Sequence, residues 1–271
     1  MEYVVKLLVG LTLLFFSNDV LSQSTFYITA VKGSISTSSG TKLAPGMVIK
    51  SNELLTFNDS LASANAVDDR SVVFTLMPIY SQVGYSDAAN VVATLARKPH
   101  KANTEMFIPD YPISDLSYLF GNDRLALIAD ITIIPINPNK VKLASNEMLV
   151  FSFKDQGATL SRRIPIEKGN LIVDKSKFWN RKLQRTVSID KVDLYIVNSV
   201  TKKYSEVASI QLNLVDAAEV AAELRLVKGY LQSKNINNDL IKSYLKTYFY
   251  EIYGRVFSKQ LGDLVDGVMN S

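Results

Sequence analysis

The sequence predicts an α+β protein: two mainly antiparallel β domains, each a small barrel or sandwich, followed by a C-terminal helical hairpin. Three observations carry this. Short β-branched and aromatic runs, separated by Gly, Pro, Ser and Asp turns, fill residues 26–78. A second set of longer apolar runs fills about residues 115–215, with turn residues and no helical period between them. From Asp216 onward the apolar residues fall at helical spacing. The expected division is a leader at 1–22, a small β domain with its connecting segment at 23–110, a second β domain at 111–215, and a helical region at 216–271.

The first 22 residues, MEYVVKLLVGLTLLFFSNDVLS, are set apart from the fold. Lys6 precedes a nearly unbroken apolar run from Leu7 to Phe16, which Ser17-Asn18-Asp19 ends. Val20 and Ser22 suit the −3 and −1 positions of a cleavage site, so Gln23 becomes the new N-terminus. About ten apolar residues are too few to cross a bilayer core of roughly 30 Å. This pattern predicts a cleaved secretory signal and a periplasmic or extracellular protein, with no transmembrane segment in the mature chain. The chain has no cysteine. Disulfides and a lipid anchor on an N-terminal cysteine are therefore excluded, and the core alone must hold the fold. A net charge of +4 is too small to predict a nucleic-acid partner. The densest basic stretch, Lys175 to Arg185, reads as a solvated connection.

Within the first β region, Phe26 to Val31 is a strand by its β-branched and aromatic content, and Gly33 interrupts it. Ser38-Ser39-Gly40 is turn chemistry, and Pro45-Gly46 suits the central positions of a type II turn. Leu54–Phe57, Ser63–Val67 and Ser71–Leu76 are further strands, with Asp68-Asp69-Arg70 as a hairpin tip. The pattern "VKGSI…GTKLAPGMVIKSNELLTF…SANAVDDRSVVFTL" resembles the β-repeat of FecR-type domains. It is also similar to the N-terminal domain of a group of exported Bacteroidota proteins. The resemblance covers about 55 residues and implies a small β module. The signalling role of FecR regulators does not carry over, because fold alone does not transmit function.

Residues 86–96 read as a short helix or a strand, and Arg97 to Lys101 as a polar loop. The middle region has a long apolar run, Leu125–Ile134, then Met148–Phe153 and a turn at Asp155–Ala158. Gly169-Asn170 turns into Leu171–Val173. Val192–Val197 and Val207–Leu214 form a late pair, in which Ile210, Leu212 and Leu214 alternate with Gln211 and Asn213, predicting one buried face. Asp216 and Glu219 occupy capping-box positions, and Val220, Leu224, Val227 and Leu231 share one face. Leu240, Ile241, Tyr244, Leu245, Tyr248, Phe249, Ile252 and Tyr253 form a second stripe. Gly254 is placed to end that helix in the left-handed conformation. Ser258 is placed to cap a third, short helix with Leu261, Leu264, Val265 and Val268 inward.

Few residues suit catalysis. The one histidine, His100, lies in a Lys-Pro-His-Lys loop and cannot assemble a zinc site or a triad from sequence neighbours. Asp68 and Asp69 suit turn geometry. Asp110, Asp115, Asp123 and Asp130 lack calcium-loop spacing. No phosphate loop or dinucleotide fingerprint is present. No catalytic, metal or cofactor-binding residue is assigned, and no cofactor is expected. The candidate partner contacts are aromatic: Tyr244, Tyr248, Tyr250, Tyr253 and Trp179. The tyrosines suit either a docking groove or a buried helix face with hydroxyls at its margin. Trp179 is either a core anchor or an exposed contact. The expectation is a non-enzymatic binding or assembly protein of the bacterial cell envelope, with a protein partner there. The alternatives are a periplasmic sensor that relays a ligand signal to a membrane partner, and a glycan-acting enzyme with an acid dyad.

Overall fold

The computed structural model describes residues 25–51, 53–58, 61–78, 93–95, 107–121, 124–155, 157–178 and 186–271. It is a mixed α+β chain whose sheets are open and mainly antiparallel, with helices at the C-terminal end. By compactness it divides into two units, Met1–Ala96 and Arg97–Ser271. The leader-like segment 1–22 and His100 lie outside the described residues.

The first unit contains β1 (Thr25–Lys32), β2 (Ile35–Thr37), β3 (Val48–Lys50), β4 (Leu55–Phe57), β5 (Ser63–Asp68), β6 (Val73–Met77) and β7 (Ala93–Leu95). Five of these form an antiparallel sheet in the order β3-β1-β5-β6-β7, and β2 pairs with β4. The two open sheets share one core: Phe26, Ile28 and Phe74 from the larger meet Ile35 and Leu55 from the smaller. Pro45-Gly46 makes the expected turn, with Met47 N–H donating to the Ala44 carbonyl at 3.3 Å and Gly46 at φ 90°. Asp68 is wholly buried at the β5–β6 tip. Its carboxylate accepts bonds from Arg70 N–H at 2.9 Å and Val72 N–H at 2.7 Å, and pairs with the Arg70 guanidinium. Its role there is turn geometry. Of 86–96, the described residues 93–95 are strand.

The second unit begins with β8 (Phe107–Ile108), α1 (Leu116–Leu119), β9 (Arg124–Leu127), β10 (Ile131–Pro135), β11 (Glu147–Asp155) and β12 (Ala158–Ile164). It continues with β13 (Ile166–Glu167), β14 (Asn170–Asp174), α2 (Lys175–Phe178), β15 (Val187–Asn198) and β16 (Tyr204–Leu214). It ends with α3 (Ala217–Ser233), α4 (Asn238–Tyr253), β17 (Val256–Phe257) and α5 (Ser258–Met269). One sheet has the order β12-β11-β15-β16-β9, in which β9 runs parallel to β16. A second has the order β10-β14-β13. Their inward residues form one core, in which the Phe151 ring packs 5.3 Å from Phe120 and 5.4 Å from Phe178.

The long apolar run 125–134 is not one strand. It breaks at Ala129-Asp130, so β9 joins the larger sheet and β10 the smaller. Distant side chains satisfy the corner. Buried Lys175 donates through Nζ to the carbonyls of Ile128 and Val215, and Gln260 Oε1 accepts from the N–H groups of Ile128 and Ala129 at 3.3 Å. A buried backbone corner without such partners would be strongly unfavourable.

Most of the predicted helix-face residues are buried, but Leu240, expected in the second stripe, is 59% exposed, and four further residues depart from the sequence reading. Asp216 caps α3 by accepting from Glu219 N–H at 2.8 Å. Glu219, however, does not close the box on Asp216. Its carboxylate accepts from Thr186 N–H at 2.6 Å, and Thr186 Oγ1 accepts from Asp216 N–H at 3.0 Å, so the box is relayed through the residue just before β15. Asn213 is buried rather than solvent-facing, because Nδ2 donates to the Tyr253 carbonyl at 2.5 Å. Gly254 is not left-handed helical. It ends α4 with a positive φ, but at φ 95° and ψ −165° it lies outside the αL region in a conformation open to glycine, and the chain passes through Arg255 into β17 beside β8. Ser258 is the first residue of α5, not its cap, and its hydroxyl donates to the Ile108 carbonyl at 3.2 Å.

Candidate binding cleft

The four tyrosines of α4 do not share one surface. Tyr248 and Tyr253 are buried, and each donates its hydroxyl to one carboxylate oxygen of Glu223 on α3, itself buried. Tyr244 and Tyr250 are half-buried and each keeps a further interaction. Tyr248 and Tyr253 thus hold two helices together and are unavailable as outward contacts. Burial pushes the Tyr253 phenol well above the ordinary tyrosine value, with the charges of Glu223 and Glu219 adding to it. Trp179 lies outside the described residues. Glu223 was hidden in the sequence as an acid between the stripe residues Val220 and Leu224. Its position on the apolar face was the signal.

Of the aspartates considered for chemistry, Asp115 caps α1, and its bonds from Ser117 hold its carboxyl below the usual carboxylate range. Asp130 is exposed and lies 3.8 Å from Lys175. Asp123 lies outside the described residues. Among the described residues no group of three or more His, Asp or Glu side chains is placed to hold a metal.

The concave feature of most chemical interest arises where the chain changes sheets. β12 is an edge strand of the larger sheet. Pro165 ends it, since proline has no N–H to continue a ladder. The next residues then pair in the smaller sheet, where Ile172 N–H donates to the Pro165 carbonyl at 3.0 Å. The tight β13–β14 turn places Lys168 at φ 50° and Gly169 at φ 78°. The two sheets diverge on either side of Pro165 and leave a cleft of about 440 Å³. Its floor is the buried core side chains Phe151, Ile164, Val173 and Phe178, with Pro165 and Ile172 half-buried at its side. Its rim carries Arg162, Arg163 and Lys177, with Glu167 and Asp174 as the acids.

The rim charges are arranged rather than cancelled. Arg162 Nε donates to the Lys177 carbonyl at 2.7 Å, which ties β12 to α2 across the mouth. Asp174 accepts from Ser176 N–H at 2.9 Å and Ser176 Oγ at 2.6 Å, which commits it to the start of α2. Among the described residues, no ion pair joins Arg162, Arg163 or Lys177 to an acid. The basic stretch starting at Lys175 therefore does two jobs in its described part: Lys175 locks the corner at Ile128, and Lys177 lies on the rim. A second cleft of about 570 Å³ lies on the other side of the crossing, lined by Ile136, Val141, Leu143, Met148 and Ile166, with Arg163 shared.

Among the described residues, no helix is long and apolar enough to cross a membrane. No protein-family model, curated protein or solved structure matches this chain.

Proposed function

We propose that this chain is an exported, non-catalytic binding or assembly protein of the bacterial cell envelope, and that the cleft beside Arg163 is its contact site. The observation that carries the reading is the cleft: a concave seam of about 440 Å³ floored by core side chains under a cationic rim, built on strands of two sheets that share a core. Rigid elements carrying a concave apolar surface with a few placed charges are the usual form of a binding site. The leader pattern at 1–22 and the FecR-like resemblance at the N-terminal end supply the export and envelope setting. In this reading the segments 23–110 and 111–215 serve as two β modules, and the helices from Ala217 brace the second.

The full-length chain, captured by antibody from the envelope fraction of its native cell after crosslinking, is expected to retain a defined envelope component. The Arg163→Glu/Lys177→Glu variant is expected to lose it. Equal retention by both chains overturns the cleft as the contact site. Recovery of the chain only from the cytoplasm overturns the envelope setting.

A further inference from the structure

We infer that the second cleft, the one of about 570 Å³ on the other side of the Pro165 crossing, takes a small aliphatic carboxylate. Its apolar body lies against Val141, Leu143, Met148 and Ile166, and its carboxylate meets Lys142 and Arg163. This wall is open to a ligand: Val141, Leu143 and Met148 are half-buried, and Ile166 is 37% exposed. It is also pre-formed. The loop that carries Val141 and Leu143 is pinned at its start, where Asn137 N–H donates to the Ile113 carbonyl at 2.8 Å and Val141 N–H to the Asn137 carbonyl at 2.9 Å. It is pinned again at its end, where Ala144 N–H donates to Glu147 Oε2 at 2.9 Å and Glu147 N–H to the Ala144 carbonyl at 2.9 Å. An ordered wall lowers the entropic cost of binding. The volume falls in the range of small-molecule sites, roughly 300–1,000 Å³. Among the described residues no aromatic ring lines this cleft. A flexible aliphatic body, which the adaptable Met148 thioether can follow, therefore suits it better than a planar ring that gains from stacking. Three charged side chains line the space. Glu147 is committed to Ala144 N–H, whereas Lys142 and Arg163 join no acid among the described residues. Two cations against one acid favour a ligand with one negative charge. This site goes beyond the envelope contact, because Lys142 lines this cleft alone and Lys177 the other alone.

Octanoate below its micelle concentration is the probe, with octanamide as the neutral analogue and acetate as a head without a body. Each is titrated into the full-length chain by calorimetry. Saturable octanoate binding is expected, with octanamide and acetate each at least about tenfold weaker, the amide gap matching the loss of one charge-assisted contact. Lys142→Glu should weaken octanoate at least as much while leaving thermal unfolding of the free chain unchanged, since its side chain is exposed. Lys177→Glu, on the other cleft, should bind octanoate as wild type does. Equal affinity for acid and amide, acetate binding as tight as octanoate, equal binding by Lys142→Glu, an equal loss in Lys177→Glu, or no saturable octanoate binding each overturns the assignment. A chain that ignores octanoate yet loses its envelope component in Arg163→Glu/Lys177→Glu refutes only this ligand site. A chain that binds octanoate through Lys142 but keeps its envelope component in that double variant refutes only the envelope contact.

Discussion

Gly254 lies directly against Arg124. A Cβ on Gly254 would sit 2.5 Å from the Arg124 Cβ and 2.8 Å from its carbonyl carbon. The closeness follows from how the C-terminal segment enters the sheet region. Arg124 donates through Nη1 to the Ile252 carbonyl at 2.7 Å and through Nη2 to the Glu251 carbonyl at 2.9 Å, satisfying the last carbonyls of α4. Arg255 N–H then donates to the Arg124 carbonyl at 2.8 Å, and Ala126 N–H to the Arg255 carbonyl at 2.7 Å. Gly254 also holds φ 95° and ψ −165°, a conformation essentially reserved for glycine. Gly254→Ala is therefore expected to destabilise the chain by on the order of 3 kcal/mol or more. Gly157→Ala, at φ 85° with nothing within 4 Å of its Cβ, should lose only about 1–2 kcal/mol. Urea unfolding of the two variants side by side checks the difference.

The bonds from Tyr248 and Tyr253 to Glu223 predict an asymmetric mutational pattern. Glu223→Ala leaves two buried hydroxyls without their acceptor and should lose about 3 kcal/mol or more. Tyr248→Phe or Tyr253→Phe alone should lose about 1.5–3 kcal/mol, the usual range for a bond to a charged acceptor. In a Glu223→Leu background the same tyrosine changes should be nearly neutral, because donor and acceptor are then both gone. A double-mutant cycle read by denaturant unfolding measures the coupling. Additive losses would show that the three side chains do not act as a unit.

Export makes a direct chemical prediction. If residues 1–22 are removed as a leader, protein recovered from the native cell begins at Gln23, as read by N-terminal sequencing or intact mass. Replacing Leu13 and Leu14 by Asp breaks the apolar run and should leave the chain in the cytoplasm with Met1 or Glu2 at its start. A chain that reaches the envelope with residues 1–22 still attached would show the segment acting otherwise.

Local chemistry made much of this fold legible. Phe26–Val31, Pro45-Gly46, Asp155–Ala158 and the stripe Val220, Leu224, Val227 and Leu231 each sit where periodicity or turn chemistry places them, because their determinants are near neighbours in sequence. The misread positions are those whose partners are far away. The break at Ala129-Asp130 depends on Lys175 and Gln260. The burial of Asn213 depends on the Tyr253 carbonyl, and the positive-φ turn of Gly254 lies against Arg124. The cleft was invisible for the same reason: Phe151, Arg163, Val173 and Lys177 come together only when the chain changes sheets at Pro165. The aromatic density of α4 was conspicuous, but density alone did not separate tyrosines that bind Glu223 from tyrosines at the margin.

Lys175 and Tyr253 predict opposite responses to alkali. Burial lowers the Lys175 ammonium below its ordinary value, with Asp130 and Asp216 opposing that shift. Between its folded value and the unfolded value of 10.5 the unfolded chain binds more protons, so this group's contribution to stability rises with pH. Tyr253 is shifted the other way. Its stabilisation is fully present below the unfolded value of 10.0 and is lost as pH rises through the higher folded value. Comparing unfolding free energy from pH 7 to 11 in wild type and in the single variants separates them. Tyr253→Phe should flatten the loss of stability above about pH 10. Lys175→Met should remove the rising component and also lower stability at pH 7 by about 1–3 kcal/mol. The second effect arises because the carbonyls of Ile128 and Val215, both buried residues, lose their shared donor. If Lys175→Met leaves stability unchanged at pH 7, the Lys175 side chain does not hold the corner at Ala129-Asp130, and Gln260→Ala should then show the larger loss.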